Sequence, residues 1–375
     1  PYTTLFRSNK MKISKISKAN SEIICRHKSV LELGANYQPE TIYYILKKNP
    51  QLVNKKDNKS ETFLSYAIKR KNEEITKLII NFPILDLSYQ DSNGNTYLHL
   101  SIMQQLIPTT ILLLKKGIKT LIAGAGIGPL KSSWSISAVK EILGMSSRII
   151  LRDECSKGEA LRINGRLRID VHGDPAIISI DEYKKRSLKR NEDYLIFNVR
   201  EVHGAGYGEK TRTVDNDIYA RIIKLFSEKG KRVILLPMHN FFYGGDDRIV
   251  LYNIGKGIKN CELKNEPFDL WDMYEMIENA GACIGMRYHS VLIQTLLNGN
   301  NYIFNYSDNL CGKITGFINW IGGSEHYANR MIGVDYINLL DENEIYDVLQ
   351  ETSKFKAREM NILEKYVMSI GEMFK

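Results

Sequence analysis

No run of about eighteen apolar residues occurs in the 375-residue chain, which excludes a membrane-spanning helix. The longest apolar stretch, around Ile107 to Leu114, is broken by Pro108, Thr109 and Thr110. Cysteine is sparse and unpatterned: Cys25, Cys155, Cys261, Cys283 and Cys311 form no CxxC pair and have no histidine at ligand spacing. That argues against a zinc site or a disulfide framework and points to a reducing, cytoplasmic compartment. No charged segment followed by an apolar one marks a secretory signal. With 9 prolines, 43% hydrophobic and 25% charged residues, the composition is that of a folded soluble protein and not of a low-complexity chain.

The net charge of +9 invites a nucleic-acid reading until its distribution is examined. Residues 1–118 hold 18 Lys and Arg against 9 Asp and Glu, whereas residues 119–375 hold 34 of each. The whole surplus lies in the first third, as expected of two different modules. Its lysine-rich face (Lys47, Lys48, Lys55, Lys56, Lys69, Arg70, Lys71) has no interleaved aromatics and reads as solvated surface, with no nucleic acid as partner.

Pro1 to Ser8, with no initiator methionine, resembles a translated sequencing adapter, and Met11 is the expected start. Residues 1–19 are therefore set aside as an adapter-like, flexible lead-in. From about 20 to 118 the chain repeats. Asp57 to Ala67 aligns with Asp91 to Ser101 at a spacing of 34, and Leu78 keeps step with Leu112. A degenerate earlier copy runs through Ile42, Ile45, Leu46 and Leu52. Thr96-Tyr97-Leu98-His99-Leu100-Ser101 and Thr62-Phe63-Leu64-Ser65-Tyr66-Ala67 resemble the signature of the ankyrin repeat. The resemblance implies stacked helix pairs, a protein-binding surface, and for His99 a local structural hydrogen bond.

From Lys119 short apolar runs alternate with helical stretches, the pattern of an α/β fold with a parallel sheet. Strands are expected at 120–123, 148–151, 194–199, 232–236, 282–285 and 302–305, and helices at 134–144, 214–229, 246–257, 269–280, 287–298 and most of 341–373. Gly124-Ala125-Gly126-Ile127-Gly128-Pro129 follows a strand. It does not complete GxGxxG, so a phosphate cradle and a tight turn at a cleft stay open as readings. Gly285-Met286-Arg287-Tyr288-His289-Ser290 follows a strand and opens a helix, which puts Arg287 and His289 at the carboxyl edge where open α/β sheets bind ligands. Arg200 ends another strand in the same fashion, and Lys313 opens a later segment after Gly312. Such a set suits a small molecule with phosphate and carboxylate groups.

Gly126 to Leu130, Leu151 to Ser156, Gly173-Asp174-Pro175-Ala176, Gly285 to Ser290, and Asn305 to Asp308 followed by Gly312 to Phe317 come in an order that resembles the polysaccharide pyruvyl transferase family over about 119–340. The resemblance implies a GT-B-like arrangement of two Rossmann-type domains. It also implies transfer of a pyruvyl ketal from phosphoenolpyruvate, the donor substrate, to a saccharide acceptor; no cofactor is expected, no residue is assigned to a metal, and the metal requirement stays open. Carried over residue by residue, it makes His289 the catalytic acid and assigns substrate binding to Arg287 and Arg200. Tyr288, Lys313, Gly126 and Gly128 line the same site, and Tyr288 stands where the family often has an aliphatic residue. His239 is a further candidate, whereas His172 and His203 are as readily surface residues.

The expected organisation is thus ankyrin repeats over 20–118, a truncated N-terminal Rossmann-type half over 119–185, and a C-terminal Rossmann-like, phosphoenolpyruvate-binding half over 186–375. The Asn-x-Gly-Asp-type loop that the resemblance implies near the acceptor is absent before residue 119. Weak turnover is therefore expected, and the junction at Lys115 to Lys119 reads as a join between two unrelated coding fragments. The alternatives weighed are an ankyrin-type interaction protein with an inert α/β part and a GT-B-like glycosyltransferase.

Overall fold

The structure, a computed structural model, describes residues 38–128, 130–202, 216–240, 245–266, 268–307, 310–351 and 353–373. The lead-in over 1–19, Cys25 and His203 lie outside the described residues. Two compact units make up the chain, one ending at Thr120 and the other running Leu121–Lys375.

The described part of the first unit is helical: α1 (Pro39–Lys48), a 3-10 turn (Pro50–Asn54), α2 (Phe63–Lys69), α3 (Glu73–Ile80), α4 (Tyr97–Met103) and α5 (Ile107–Lys115). Tyr97 opens α4 as Phe63 opens α2, and Ile107 opens α5 as Glu73 opens α3, so the sequence period recurs in the helices. The Ser65 N–H donates to Thr62 Oγ1 at 3.2 Å while the Thr62 N–H donates to Ser65 Oγ at 2.7 Å. At the equivalent place the His99 N–H donates to Thr96 Oγ1 at 3.4 Å and the Thr96 N–H donates to His99 Nδ1 at 3.3 Å. Each pair satisfies two backbone donors at a helix start. Ahead of each cap one carboxylate oxygen closes the turn: Asp57 accepts from Lys59 and Glu61, and Asp91 from Asn93 and Asn95, all at 2.9 Å. Lys69 differs from its expected solvation, because it pairs with Glu61 and lies 3.7 Å from Asp91.

In the second unit, β1 (Leu121–Ala125), α6 (Ser133–Met145), β2 (Arg148–Leu151), α7 (Glu154–Ile163), β3 (Ile169–Val171) and α8 (Ala176–Lys184) build a three-stranded parallel sheet in the order β1-β2-β3. Then follow β4 (Tyr194–Asn198), α9 (Asn216–Glu228), β5 (Arg232–Leu235), α10 (Asp247–Gly255), β6 (Cys261–Leu263), α11 (Leu270–Asn279), β7 (Ala282–Gly285) and α12 (Tyr288–Leu297). The chain closes with β8 (Asn301–Asn305), α13 (Lys313–Trp320), β9 (Met331–Gly333), α14 (Glu342–Gln350) and α15 (Ile362–Glu372).

These strands form a six-stranded parallel sheet in the order β6-β5-β4-β7-β8-β9. Strands are added outward on one side from β4 to β6 and on the other from β7 to β9, so the strand order turns back between β4 and β7, the point at which doubly wound sheets open a crevice at their carboxyl edge. Every residue of β4, β7 and β8 is buried, as helices on both faces require. In the smaller sheet Ile149 and Leu151 pack into a core with Leu143 and Ala160, while Ile150 joins the larger core. That alternation is the period-two signature of a strand between two packed layers.

Three expectations change. Strands β3, β6 and β9 were not expected; each is three residues long, and Asp170 and Glu262 interrupt the apolar signal of the first two. The helix expected over most of 341–373 is two helices, because the Phe355 N–H leaves the helical ladder and donates to the Gly299 carbonyl at 2.9 Å. The cysteines also depart from expectation, because two of them are paired. Cys155, in the first turn of α7, and Cys311, just before α13, form a disulfide with Cα atoms 5.5 Å apart across 156 residues of sequence. Spacing along the chain carries no information about such a pair, and the inference of a reducing compartment loses its footing.

The last helix returns to the smaller sheet. The Tyr366 hydroxyl donates to the Gly173 carbonyl at 2.9 Å, His172 Nε2 lies 2.8 Å from Ser369 Oγ, and Arg148 Nη2 bridges Asp170 at 2.6 Å and Glu372 at 2.9 Å.

Candidate functional site

The carboxyl ends of β4 and β7 flank the reversal point, and three groups of side chains gather there. The first centres on Arg287, which occupies the N-cap position of α12 in extended backbone. Its N–H donates to Asn198 Oδ1 at 3.2 Å, tying the end of β7 to that of β4. The guanidinium forks onto Asp247, with Nη2 at 2.6 Å and Nε at 3.0 Å from one oxygen, and Nη2 also donates to the Gly245 carbonyl at 2.9 Å. Asp247 in turn accepts the N–H groups of Met238 and His239 at 3.1 and 3.2 Å. His239 Nδ1 lies 3.0 Å from the same Gly245 carbonyl. Arg287 and His239 therefore share one buried carboxylate and one carbonyl. Sequence reasoning named both but missed Asp247, whose acidic type at the first turn of α10 was the available signal.

The second group joins the two sheets. Tyr288 is buried, its ring meets the His289 ring edge-on at 5.2 Å, and the Arg152 guanidinium sits 4.3 Å above it. Burial, reinforced by the charge of Asp174, holds the Tyr288 phenol well above its ordinary value. His289 is accessible, with 60% of its side chain exposed, and its Nε2 lies 3.8 Å from Asp174 Oδ2. Asp174 is pinned in turn, because its other oxygen accepts the Ala176 N–H at 3.0 Å ahead of α8. Arg152 Nε donates to Asp153 Oδ2 at 3.2 Å, and Asp153 caps α7 by accepting the Ser156 N–H at 2.7 Å.

Gly126 and Gly128 stand behind this group. A Cβ at Gly126 would overlap the Arg152 guanidinium, and Gly128 has φ +85° with Glu159 against it. Two of the segment's N–H groups have side-chain acceptors: Ile127 donates to Ser156 Oγ at 3.0 Å and Leu130 to Glu159 Oε1 at 2.9 Å. The close approach of Arg152 to Gly126 and of Glu159 to Gly128 leaves no room for a side chain at either glycine. Arg152, Asp153 and Asp174 were missed as site residues, although each stands inside a motif the sequence displays.

The third group is cationic. Tyr306, beyond β8, carries Arg200 at 5.1 Å and Lys313 at 4.7 Å from its ring centroid. The ring's quadrupole lets two positive groups approach one place, an arrangement suited to a dianionic ligand. Arg200 and Lys313 are thus brought together on one ring. Among the described residues no cluster of His, Cys, Asp and Glu could hold a metal ion.

A doubly wound parallel sheet with arginine, lysine and histidine along its carboxyl edge is the arrangement at which open α/β sheets place ligand sites. The family model described as polysaccharide pyruvyl transferase matches residues 29–308, and the chain belongs to that family. The match begins in the helical unit, earlier than the resemblance over 119–340, and its bounds span Lys115 to Lys119. No curated protein matches the chain.

Two solved structures are similar to the chain over part of its length. UDP-GlcNAc 2-epimerase from Methanocaldococcus jannaschii, in complex with UDP-GlcNAc and UDP, is 14% identical with TM-score 0.44 over 80% of this chain and 88% of that one. E. coli heptosyltransferase WaaC with ADP is 12% identical with TM-score 0.34 over 58% and 70%. No helix among the described residues is long and apolar enough to cross a membrane.

Proposed function

We propose that the second unit binds phosphoenolpyruvate at the β4–β7 crevice and transfers its pyruvyl group, as a ketal, to a sugar of a polysaccharide. The observation that carries the reading is the pairing of Arg200 and Lys313 on Tyr306 at the edge that also presents Arg287 and the exposed His289. Phosphoenolpyruvate has a phosphate and a carboxylate on one small carbon frame, and separate cationic groups would hold its two ends. His289 would protonate the methylene carbon, turning the C=C bond into a C–CH3 bond and leaving an oxocarbenium-like centre. Two sugar hydroxyls add to that centre and lose their protons, and the C–O bond to phosphate breaks. Cations already fixed in place stabilise the departing phosphate without reorganising. No cofactor is needed in this scheme.

The first unit, with its recurring caps and turns, is proposed as an ankyrin-like surface for a protein partner. Because only three strands precede the larger sheet among the described residues, turnover is expected to be weak relative to donor binding. The test is calorimetric titration of the full chain with phosphoenolpyruvate. Saturable binding that Arg200→Ala weakens by about tenfold or more supports the proposal. Absence of binding, or stronger binding of a nucleotide sugar, would overturn it.

A further inference from the structure

Away from the β4–β7 crevice, a cavity of about 340 Å³ lies between the end of α8, the segment 186–190 and the first turns of α11. Its lining includes Tyr183, Arg186, Leu188, Arg190, Trp271 and Glu275. Trp271 is 42% exposed, an unusual state for the residue with most to gain from burial. The ring is nevertheless held firmly. Tyr183 stacks on it at 5.8 Å with planes 17° apart, and Tyr274 meets it edge-on at 5.9 Å. Tyr183 is fixed in turn by its hydroxyl, which donates to Glu278 at 3.1 Å, and Tyr274 by its hydroxyl 2.7 Å from Ser179 Oγ. The result is a rigid indole platform with Leu188, 84% exposed, along one side.

Charged groups of both signs complete the lining. Arg186 is paired with Glu182 at 2.7 Å, but neither the Arg190 guanidinium nor the Glu275 carboxylate has an ion-pair partner among the described residues. Arg190 is positioned by its backbone, whose N–H donates to Asn279 Oδ1 at 2.6 Å. A flat aromatic face suits the C–H face of a pyranose ring, a free carboxylate suits ring hydroxyls, and a free guanidinium suits a carboxylate fork. The volume falls at the low end of small-molecule sites, the scale of one or two sugar units.

We propose that this cavity is a second saccharide-binding site, which holds an acidic sugar unit of the acceptor polymer on Trp271 with its carboxylate on Arg190 and its hydroxyls on Glu275. The proposal rests on the polysaccharide-acceptor reading, and it assigns the platform to holding the polymer while chemistry proceeds elsewhere. None of the cavity's residues belongs to the groups around Arg287, His289 or Tyr306, so donor binding is independent of it.

The experiment titrates the full chain with tri-galacturonate and with neutral galactotriose, following binding by calorimetry. Saturable binding of the acidic trisaccharide is expected, with the neutral one weaker by about tenfold. Trp271→Ala should weaken the acidic ligand by about tenfold and Trp271→Phe by less, while Arg190→Ala should remove the preference for the acidic ligand. Phosphoenolpyruvate binding should be unchanged in all three variants, which separates failure of this site from failure of the donor reading. Equal binding of both trisaccharides, no binding of either, or a Trp271→Ala effect confined to self-association would overturn the proposal. Unfolding midpoints of the variants within a few degrees of the parent exclude loss of the fold as the cause.

Discussion

The Arg287 guanidinium meets Asp247 at 2.6 Å, and the carboxylate it meets has only 1% of its side chain exposed. An arginine at a ligand edge is thereby also half of a buried ion pair. Arg287→Ala leaves that carboxylate buried without its guanidinium, and unfolding in urea is expected to show a loss of about 3–5 kcal/mol. Arg287→Lys should recover part of it, because a point charge replaces the fork. A stability unchanged in Arg287→Ala would mean that the pair contributes nothing to the fold.

His289→Gln is expected to leave phosphoenolpyruvate binding within about threefold of the parent and to lower kcat by roughly a hundredfold or more. Asp174→Asn, acting through the imidazole 3.8 Å away, should lower kcat by about tenfold with KM for the donor nearly unchanged. Steady-state phosphate release measures both. Equal losses of binding and turnover in His289→Gln would assign the residue to binding alone.

Glycine substitutions should sort by surroundings. Gly173 has φ +89° with the Trp320 ring where a Cβ would stand, so Gly173→Ala is expected to cost about 2 kcal/mol or more. Gly144, inside α6 with nothing within 4 Å, should tolerate alanine and gain up to about 1 kcal/mol in thermal unfolding. Gly126→Ala should displace Arg152 and so disturb Tyr288, read as a change in that tyrosine's fluorescence or NMR signal.

Acid should loosen the helical unit at its turns. Burial pushes the Asp57 and Asp91 carboxyls up, but hydrogen bonds from Tyr66, Glu61 and Lys59 to the first, and from Asn95 and Asn93 to the second, outweigh it and hold both below the ordinary value. Carboxyls depressed in the folded state stabilise it above their unfolded value, about 4, and that contribution disappears as pH falls through the folded values. Hydrogen exchange across residues 57–105 should therefore be flat from about pH 7 to 5 and quicken, relative to the intrinsic rate, below about pH 4. The double variant Asp57→Asn, Asp91→Asn should flatten that acid limb.

Reduction of Cys155–Cys311 opens a long loop, and a drop of about 2–4 kcal/mol in stability is expected on adding dithiothreitol. Mass spectrometry after alkylation under non-reducing conditions should find these two thiols blocked and Cys261 and Cys283 as thiols. Alkylation of all four in the unreduced, unfolded protein would contradict the pairing.

What could be read from the sequence was whatever has a local cause. Thr62 and Thr96 announce their helices because a cap is made within four residues, and Tyr194 to Asn198 reads as a buried strand because helices cover it on both faces. The β7–α12 turn placed Arg287 and His289 correctly at the sheet edge for the same reason. Their partners were illegible. Asp247 lies forty residues from Arg287 and Asp174 more than a hundred from His289, and only the sheet order brings them together. Strands of three residues centred on Asp170 or Glu262 leave no apolar run to detect.

Tyr366 bonds the loop that carries Asp174, and the helix around it, α15, is the last described element, far along the chain from that loop. A nascent chain can thread β1, β2 and β3 into register long before that helix emerges from the ribosome. The loop facing His289 gains its Tyr366 anchor only after that helix has been made. A chain cut before that helix would keep β1, β2 and β3 and lose the hydroxyl that holds the Gly173 carbonyl, so the setting of this loop depends on a segment made long after the strands it follows.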